Sequence, residues 1–170
     1  GLSPRAVEGP EVTMANRGTT VVLFVLVLMV MAWRADAQPF TVGPITAQPG
    51  TTASGDLVVA PASGDAGSRI PVSVVHGAKP GPVPALVAGV HGQEYTPVLA
   101  LQRLRASIDP ATLTGTIIMV HVANMPSFTG RTIYYSPADR KNLNRVFPGK
   151  ADGTLSERIA DRITREVLTP

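Results

Sequence analysis

The chain has 170 residues, of which 44% are hydrophobic and 16% charged, a balance that suits a folded protein of one domain at most. A net charge of +3, from 15 Lys+Arg against 12 Asp+Glu with no long basic run and few aromatics, excludes a nucleic-acid footprint. Cysteine is absent, so disulfides and thiolate ligands are excluded and any metal must be held by His, Asp or Glu.

The N-terminal stretch reads as a targeting segment. Met14 opens a short polar region containing Arg17, an apolar core follows from Val21 to Trp33, and Ala35-Asp36-Ala37 supplies an A-x-A cleavage pattern. The apolar core is shorter than the ~20 residues that span a bilayer, so a cleaved signal peptide over 14–37 is expected rather than an anchor. Residues 1–13 precede a plausible initiator methionine and read as an upstream translation artefact. Cleavage near Ala37 would deliver the remainder to the periplasm or the medium, with membrane contact only through the signal peptide.

Gln38 to Gly55 is rich in Pro, Gly and Thr and reads as an extended, poorly packed linker. The domain proper is expected over 56–170. Leu57 to Ala60 reads as a short strand and Ile70 to Val75 as a better one, followed by a turn at Gly77 to Gly81. Ala85 to Val90 is almost wholly apolar, as in a strand buried on both faces of a parallel or mixed sheet. A helix is expected next, with Thr96 as its cap, Pro97 at its first position, and Pro97, Leu101, Leu104 and Ile108 on one face. Asp109-Pro110 ends it. Gly115 to Val122 forms the following strand, so strand, helix and strand compose a βαβ unit with parallel pairing. A polar loop runs from Asn124 to Gly153, longer than compact domains usually tolerate without a function. Thr154-Leu155-Ser156-Glu157 is a capping box, and Leu155, Ile159, Ile163 and Val167 give the last helix its apolar face.

Two constellations carry chemistry. His91-Gly92-Gln93-Glu94 places an imidazole and a carboxylate three residues apart at a strand-to-helix turn, where both can reach one cation. Mixed nitrogen and oxygen ligation suits Zn²⁺, which catalytic sites hold with three protein ligands and an open position. Without a third ligand the pair could equally cap the helix and bind solvent. The second constellation is the loop Asp139-Arg140-Lys141-Asn142-Leu143-Asn144-Arg145-Val146-Phe147-Pro148-Gly149, preceded by Arg131. Guanidinium forks and amides match a carboxylate or an oxyanion, although a charged loop can also be merely solvated. His76 and His121 lie on strands and read as hydrogen-bonded structural residues, with His121 a second candidate near the site because it falls at a strand's C-terminal edge.

Gly89-Val90-His91-Gly92-Gln93-Glu94-Tyr95 followed by Asn142-Leu143-Asn144-Arg145-Val146-Phe147-Pro148-Gly149 resembles the succinylglutamate desuccinylase/aspartoacylase family, relatives of the zinc carboxypeptidases. The resemblance runs from about Gly55 to the C-terminus and includes the order of elements. It implies an α/β fold, a mixed and partly parallel sheet flanked by helices, incomplete at the C-terminus. It implies that His91 and Glu94 are zinc ligands, that Asn144 and Arg145 bind a substrate carboxylate, and that Arg131 acts at the scissile carbonyl. Asn142 stands where aspartoacylase-type members often have Asp. The third zinc ligand, a histidine, and the general-base glutamate are expected beyond Pro170. The activity implied is metal-assisted hydrolysis of an amide or ester bond in a small carboxylate-bearing substrate or peptide, with this chain inactive alone. Two other classes stay open: an exported, non-catalytic module that binds an anionic ligand, and a fragment without function.

Overall fold

The structure, a computed structural model, describes residues 38–169; the signal segment read over 14–37 and residues 1–13 lie outside the described residues. A four-stranded sheet is its centre. Strands β1 (Phe40–Val42) and β2 (Ile45–Ala47) pair as a small antiparallel hairpin. Strands β3 (Thr51–Val59), β4 (Ser68–His76), β5 (Ala85–Val87) and β6 (Thr116–Val120) form the main sheet in the order β3-β4-β6-β5. β3 and β4 pair antiparallel, as do β4 and β6, whereas β5 and β6 run parallel. The fold class is therefore α/β with a mixed, partly parallel sheet.

Parallel neighbours need a crossover, and helix α1 (Tyr95–Ser107) supplies it between β5 and β6. Helix α2 (Met125–Gly130) follows β6, a 3-10 turn covers Leu143–Arg145, and helix α3 (Leu155–Ile163) passes into a π-helical turn at Thr164–Leu168. The two faces of the sheet carry separate cores. On one, Leu57, Ile70, Val72, Val74, Ile118 and Val120 pack with Leu143 and with Leu155, Ile159, Ile163 and Val167 of the last helix and its extension. On the other, Val75 and Met119 pack with Val98 and Leu101 of α1. No helix among the described residues is long and apolar enough to cross a membrane.

Four expectations need correction. The segment 38–55 is not a poorly packed linker: it holds β1, β2 and the start of β3, and Val42, Ile45 and Ala47 are buried. Prolines and glycines hid an alternation in which these small apolar residues face inward and Thr41 and Thr46 face out, joined by a hydroxyl hydrogen bond of 3.0 Å. The strand read over 85–90 shortens to Ala85–Val87, with all three residues only half-buried, because β5 pairs on one side alone among the described residues. Gly89 there takes φ +64°, outside the range of a strand. The helix starts at Tyr95 with Glu94 in the cap position, so Pro97 is its third residue, where its missing N–H is still one of the donors that a helix leaves unbonded. Finally, the stretch 124–153 is not structureless. Asn124 caps α2, its Oδ1 accepting from Ser127 N at 3.2 Å with Pro126 in the first turn, and the 3-10 turn lies further on.

Candidate metal and carboxylate site

His91 and Glu94 sit where the chain leaves β5 and enters α1, the carboxyl end of the parallel strand pair. The turn is held on both sides. Ala88 N donates to Val120 O and Asn124 N to Gly89 O, each at 2.9 Å, and the buried Asn124 amide donates to Val90 O at 3.3 Å. Gly92 packs directly on the end of α2, where a Cβ would stand 2.1 Å from Ser127 O and 2.4 Å from Thr132 O. Glu94 folds back over the turn: its Oε2 accepts from His91 N at 3.1 Å and its Oε1 lies 2.8 Å from His91 Nδ1.

The other ring nitrogen decides the chemistry. His91 Nε2 lies 3.1 Å from Asn142 Oδ1, and that oxygen also accepts from Asn144 N at 3.0 Å, which fixes it as the oxygen of the amide. An acceptor at Nε2 places an N–H there, and Nδ1 faces the Glu94 carboxylate at hydrogen-bond distance. At 2.8 Å the contact is a hydrogen bond carried by a proton on Nδ1, and a metal ion held by the pair would take that proton's place. One imidazole nitrogen and one carboxylate oxygen are a donor pair that suits zinc, so these residues fit as two of three ligands. Among the described residues no group of three His, Cys, Asp or Glu side chains is placed to hold a metal.

The arginine and asparagine loop reaches the same place through Asn142. Arg145 N donates to Asn142 O at 2.9 Å, closing the 3-10 turn so that Asn144 and Arg145 are exposed while Leu143 is fully buried beneath them. Arg131 caps α2 in the left-handed region (φ 53°), and its carbonyl accepts from Gln93 Nε2 at 3.2 Å. Neither Arg131 nor Arg145 has a carboxylate partner among the described residues. The structure thus brings His91, Glu94 and the backbones of Asn144 and Arg131 to one turn. A cleft of about 1030 Å³ lies elsewhere, between the β3–β4 hairpin and α2, and is lined by none of these residues.

Asp139 is the residue that sequence reasoning passed over. Its carboxylate accepts from Ser156 N at 2.7 Å and Ser156 Oγ at 2.8 Å in the first turn of α3, and from Lys141 N at 3.1 Å. Burial pushes its pKa up, but these hydrogen bonds outweigh burial and hold the carboxyl below its ordinary value. No local signal marks it, because its partner Ser156 lies 17 residues on. Glu157 completes that box, accepting from Thr154 N at 2.9 Å, and this bond with the Lys141 ammonium holds its pKa at about 2. His76 bonds Thr116 and the Gln38 carbonyl, at 2.7 and 2.8 Å. His121 bonds Ser73 at 2.8 Å on the α1 face of the sheet and touches no member of the His91 cluster. His76 ends β4 and His121 follows β6 directly; both are hydrogen-bonded, and His121, the second candidate near the site, bonds away from the His91–Glu94 turn.

Comparison with known proteins agrees with this architecture. Residues 80–170 match the succinylglutamate desuccinylase/aspartoacylase catalytic domain, and the chain belongs to that family. An N-alpha-acetyl-L-2,4-diaminobutyric acid deacetylase of Halomonas elongata is 45% identical over 102 residues, which are 59% of this chain and 29% of the relative. Among solved structures, an aspartoacylase family protein from Mesorhizobium loti is 35% identical with a TM-score of 0.66, over 76% of this chain and 40% of that one. A succinylglutamate desuccinylase/aspartoacylase from Rhodobacter sphaeroides gives 30% and 0.65, over 78% and 40%. The chain therefore spans well under half the length of these relatives.

Proposed function

We propose that this chain carries the first part of the active site of a zinc-dependent deacylase, which hydrolyses an amide or ester bond in a small carboxylate-bearing substrate. The observation that carries the reading is the convergence of His91 Nδ1 and Glu94 Oε1 at 2.8 Å, with Asn142 holding the far side of the ring at Nε2. The relatives' names support the substrate class, since deacetylases, desuccinylases and aspartoacylases act on acylated amino acids. Among the described residues no third His, Cys, Asp or Glu joins the pair, and in this reading the third ligand and the general base belong to the further length that the relatives have. Alone, the chain is expected to be inactive.

Bound zinc would supply Lewis acidity, polarising the scissile carbonyl and activating water. The chain's own residues would position and bind. His91 and Glu94 hold the ion. The Arg145 guanidinium and Asn144 amide, exposed on a turn whose base is buried, would grip the substrate carboxylate bidentately. Arg131, on the rigid cap of α2, would face the oxygen that gains charge as the carbonyl is attacked. Export through the segment 14–37 is part of the proposal, so the substrate would be met outside the cytoplasm.

The test is zinc stoichiometry and N-acyl amino acid hydrolysis in the full-length protein, compared with His91→Ala. Near one zinc per protein in the wild type and near zero in the variant are expected, with hydrolysis lost alongside the metal. Equal and negligible zinc in both would remove the metal reading.

A further inference from the structure

Ile133, Tyr134 and Tyr135 are 52%, 56% and 61% exposed, three consecutive large side chains turned to solvent. A run of that kind is a fault in a folded sequence unless it has a function. It does not belong to a frayed loop. On its N-terminal side Thr132 N donates to Ser127 O at 3.1 Å, and Arg131 O is held by Gln93. On its C-terminal side the buried Ser136 donates its N–H to Lys141 O at 2.9 Å and accepts from Arg140 N at 2.8 Å. Between these anchors the Tyr134 ring meets the His91 imidazole edge-on, with centroids 5.3 Å apart and planes at 88°. The lip thus stands beside the metal-binding imidazole, with Arg131 just before it and the Asn142–Arg145 turn just after.

We propose that Ile133, Tyr134 and Tyr135 form the wall that receives the apolar part of the substrate, and that Ile133 and Tyr135 determine specificity. The preferred substrate would carry an aliphatic or aromatic group beside the bond to be cleaved. Tyrosine suits this task because it offers a large apolar ring at low entropic cost, with a polar tip that tolerates water when the site is empty. The inference rests on the reading of His91–Glu94 and Asn144–Arg145 as metal and carboxylate sites.

Titration calorimetry of the purified full-length protein with acetate, hexanoate and 3-phenylpropionate tests it without relying on turnover. In the wild type, 3-phenylpropionate is expected to bind at least about tenfold tighter than acetate. The double variant Ile133→Ser, Tyr135→Ser, which leaves the Tyr134 ring against His91, should bring the two within about twofold of each other, chiefly through loss of 3-phenylpropionate affinity, and Tyr134→Phe should preserve the ratio. A flat series in the wild type, an unchanged ratio in the double variant, or an equal loss for all three ligands would overturn the proposal. Arg145→Ala separates the two readings. Loss of all three ligands supports the carboxylate clamp; retained binding with the same tail dependence removes the clamp and leaves the lip standing.

Discussion

His91 shows how much one side chain's surroundings decide. Its ring is held at Nδ1 by Glu94, at Nε2 by Asn142 and on its flank by Tyr134, so its orientation is set before any ion arrives. Partners of that kind typically matter by 10- to 100-fold in metal affinity, and Asn142→Ala is expected to weaken zinc binding by about that factor. Chelator competition on the folded variant measures it. Gly92 is equally constrained, for a different reason. Gly92→Ala would drive a methyl into the carbonyls of Ser127 and Thr132, so the turn must shift, and overpacking of this sort costs about 1–3 kcal/mol. Thermal melting and zinc content should fall together. The sequence showed the His91 and Glu94 pair plainly because their three-residue spacing is local. It could not show that Asn142, 51 residues on, would bond the far side of the imidazole, since that contact exists only once the loop is folded back.

At the scale of elements, the last helix was the most legible part of the chain. Its capping box and its four-residue apolar repeat are local signals, and Leu155, Ile159, Ile163 and Val167 are all buried as the repeat required. The β1–β2 hairpin was hidden because Pro and Gly dilute its composition, and α2 because six residues are too few to show a period. The loop between α2 and α3 takes its order from its anchors. Leu143 is fully buried among sheet and helix residues, and Leu143→Ala is expected to destabilise the fold by about 2–5 kcal/mol in guanidinium chloride unfolding. Asp139→Ala removes the acceptor at the start of α3, a loss comparable to an N-cap at about 1 kcal/mol. It should weaken carboxylate binding more than zinc binding.

For the molecule as a whole, the shifted histidine and carboxylates share a sign, while Arg165 is raised, by Asp161, far above the working range. His121 has its pKa lowered by burial first and by Arg105 second; Asp65 is lowered chiefly by its hydrogen bond from Arg158, and Asp139 and Glu157 are lowered as well. In each case the unfolded chain binds a proton more readily than the folded one, so stability rises with pH. It is complete above the unfolded histidine value near 6.5. It falls first as His121 is asked to ionise below that, and then further as the carboxylates protonate from about 4.5 down to the value of about 2 held by Glu157. Unfolding midpoints measured at pH 7, 5 and 3 should decline in that order, and His121→Gln should flatten the step between 7 and 5.

Gly149 rests against the backbone of α3, where a Cβ would stand 2.1 Å from Asp161 N, and Thr164 donates its hydroxyl proton to Pro148 O at 2.9 Å. Together with Asp139 this bolts both ends of the Asn144–Arg145 turn to the last helix, whereas His91 and Glu94 are carried by the sheet and braced by α2. The jaws of the site are therefore mounted on different arms, joined through the amide of Asn142. On the proposed function, a change in α3 that slides its arm by a fraction of an ångström would reset the span between the His91–Glu94 pair and the Asn144–Arg145 turn, and with it the length of substrate accepted, while leaving His91 and Glu94 in place.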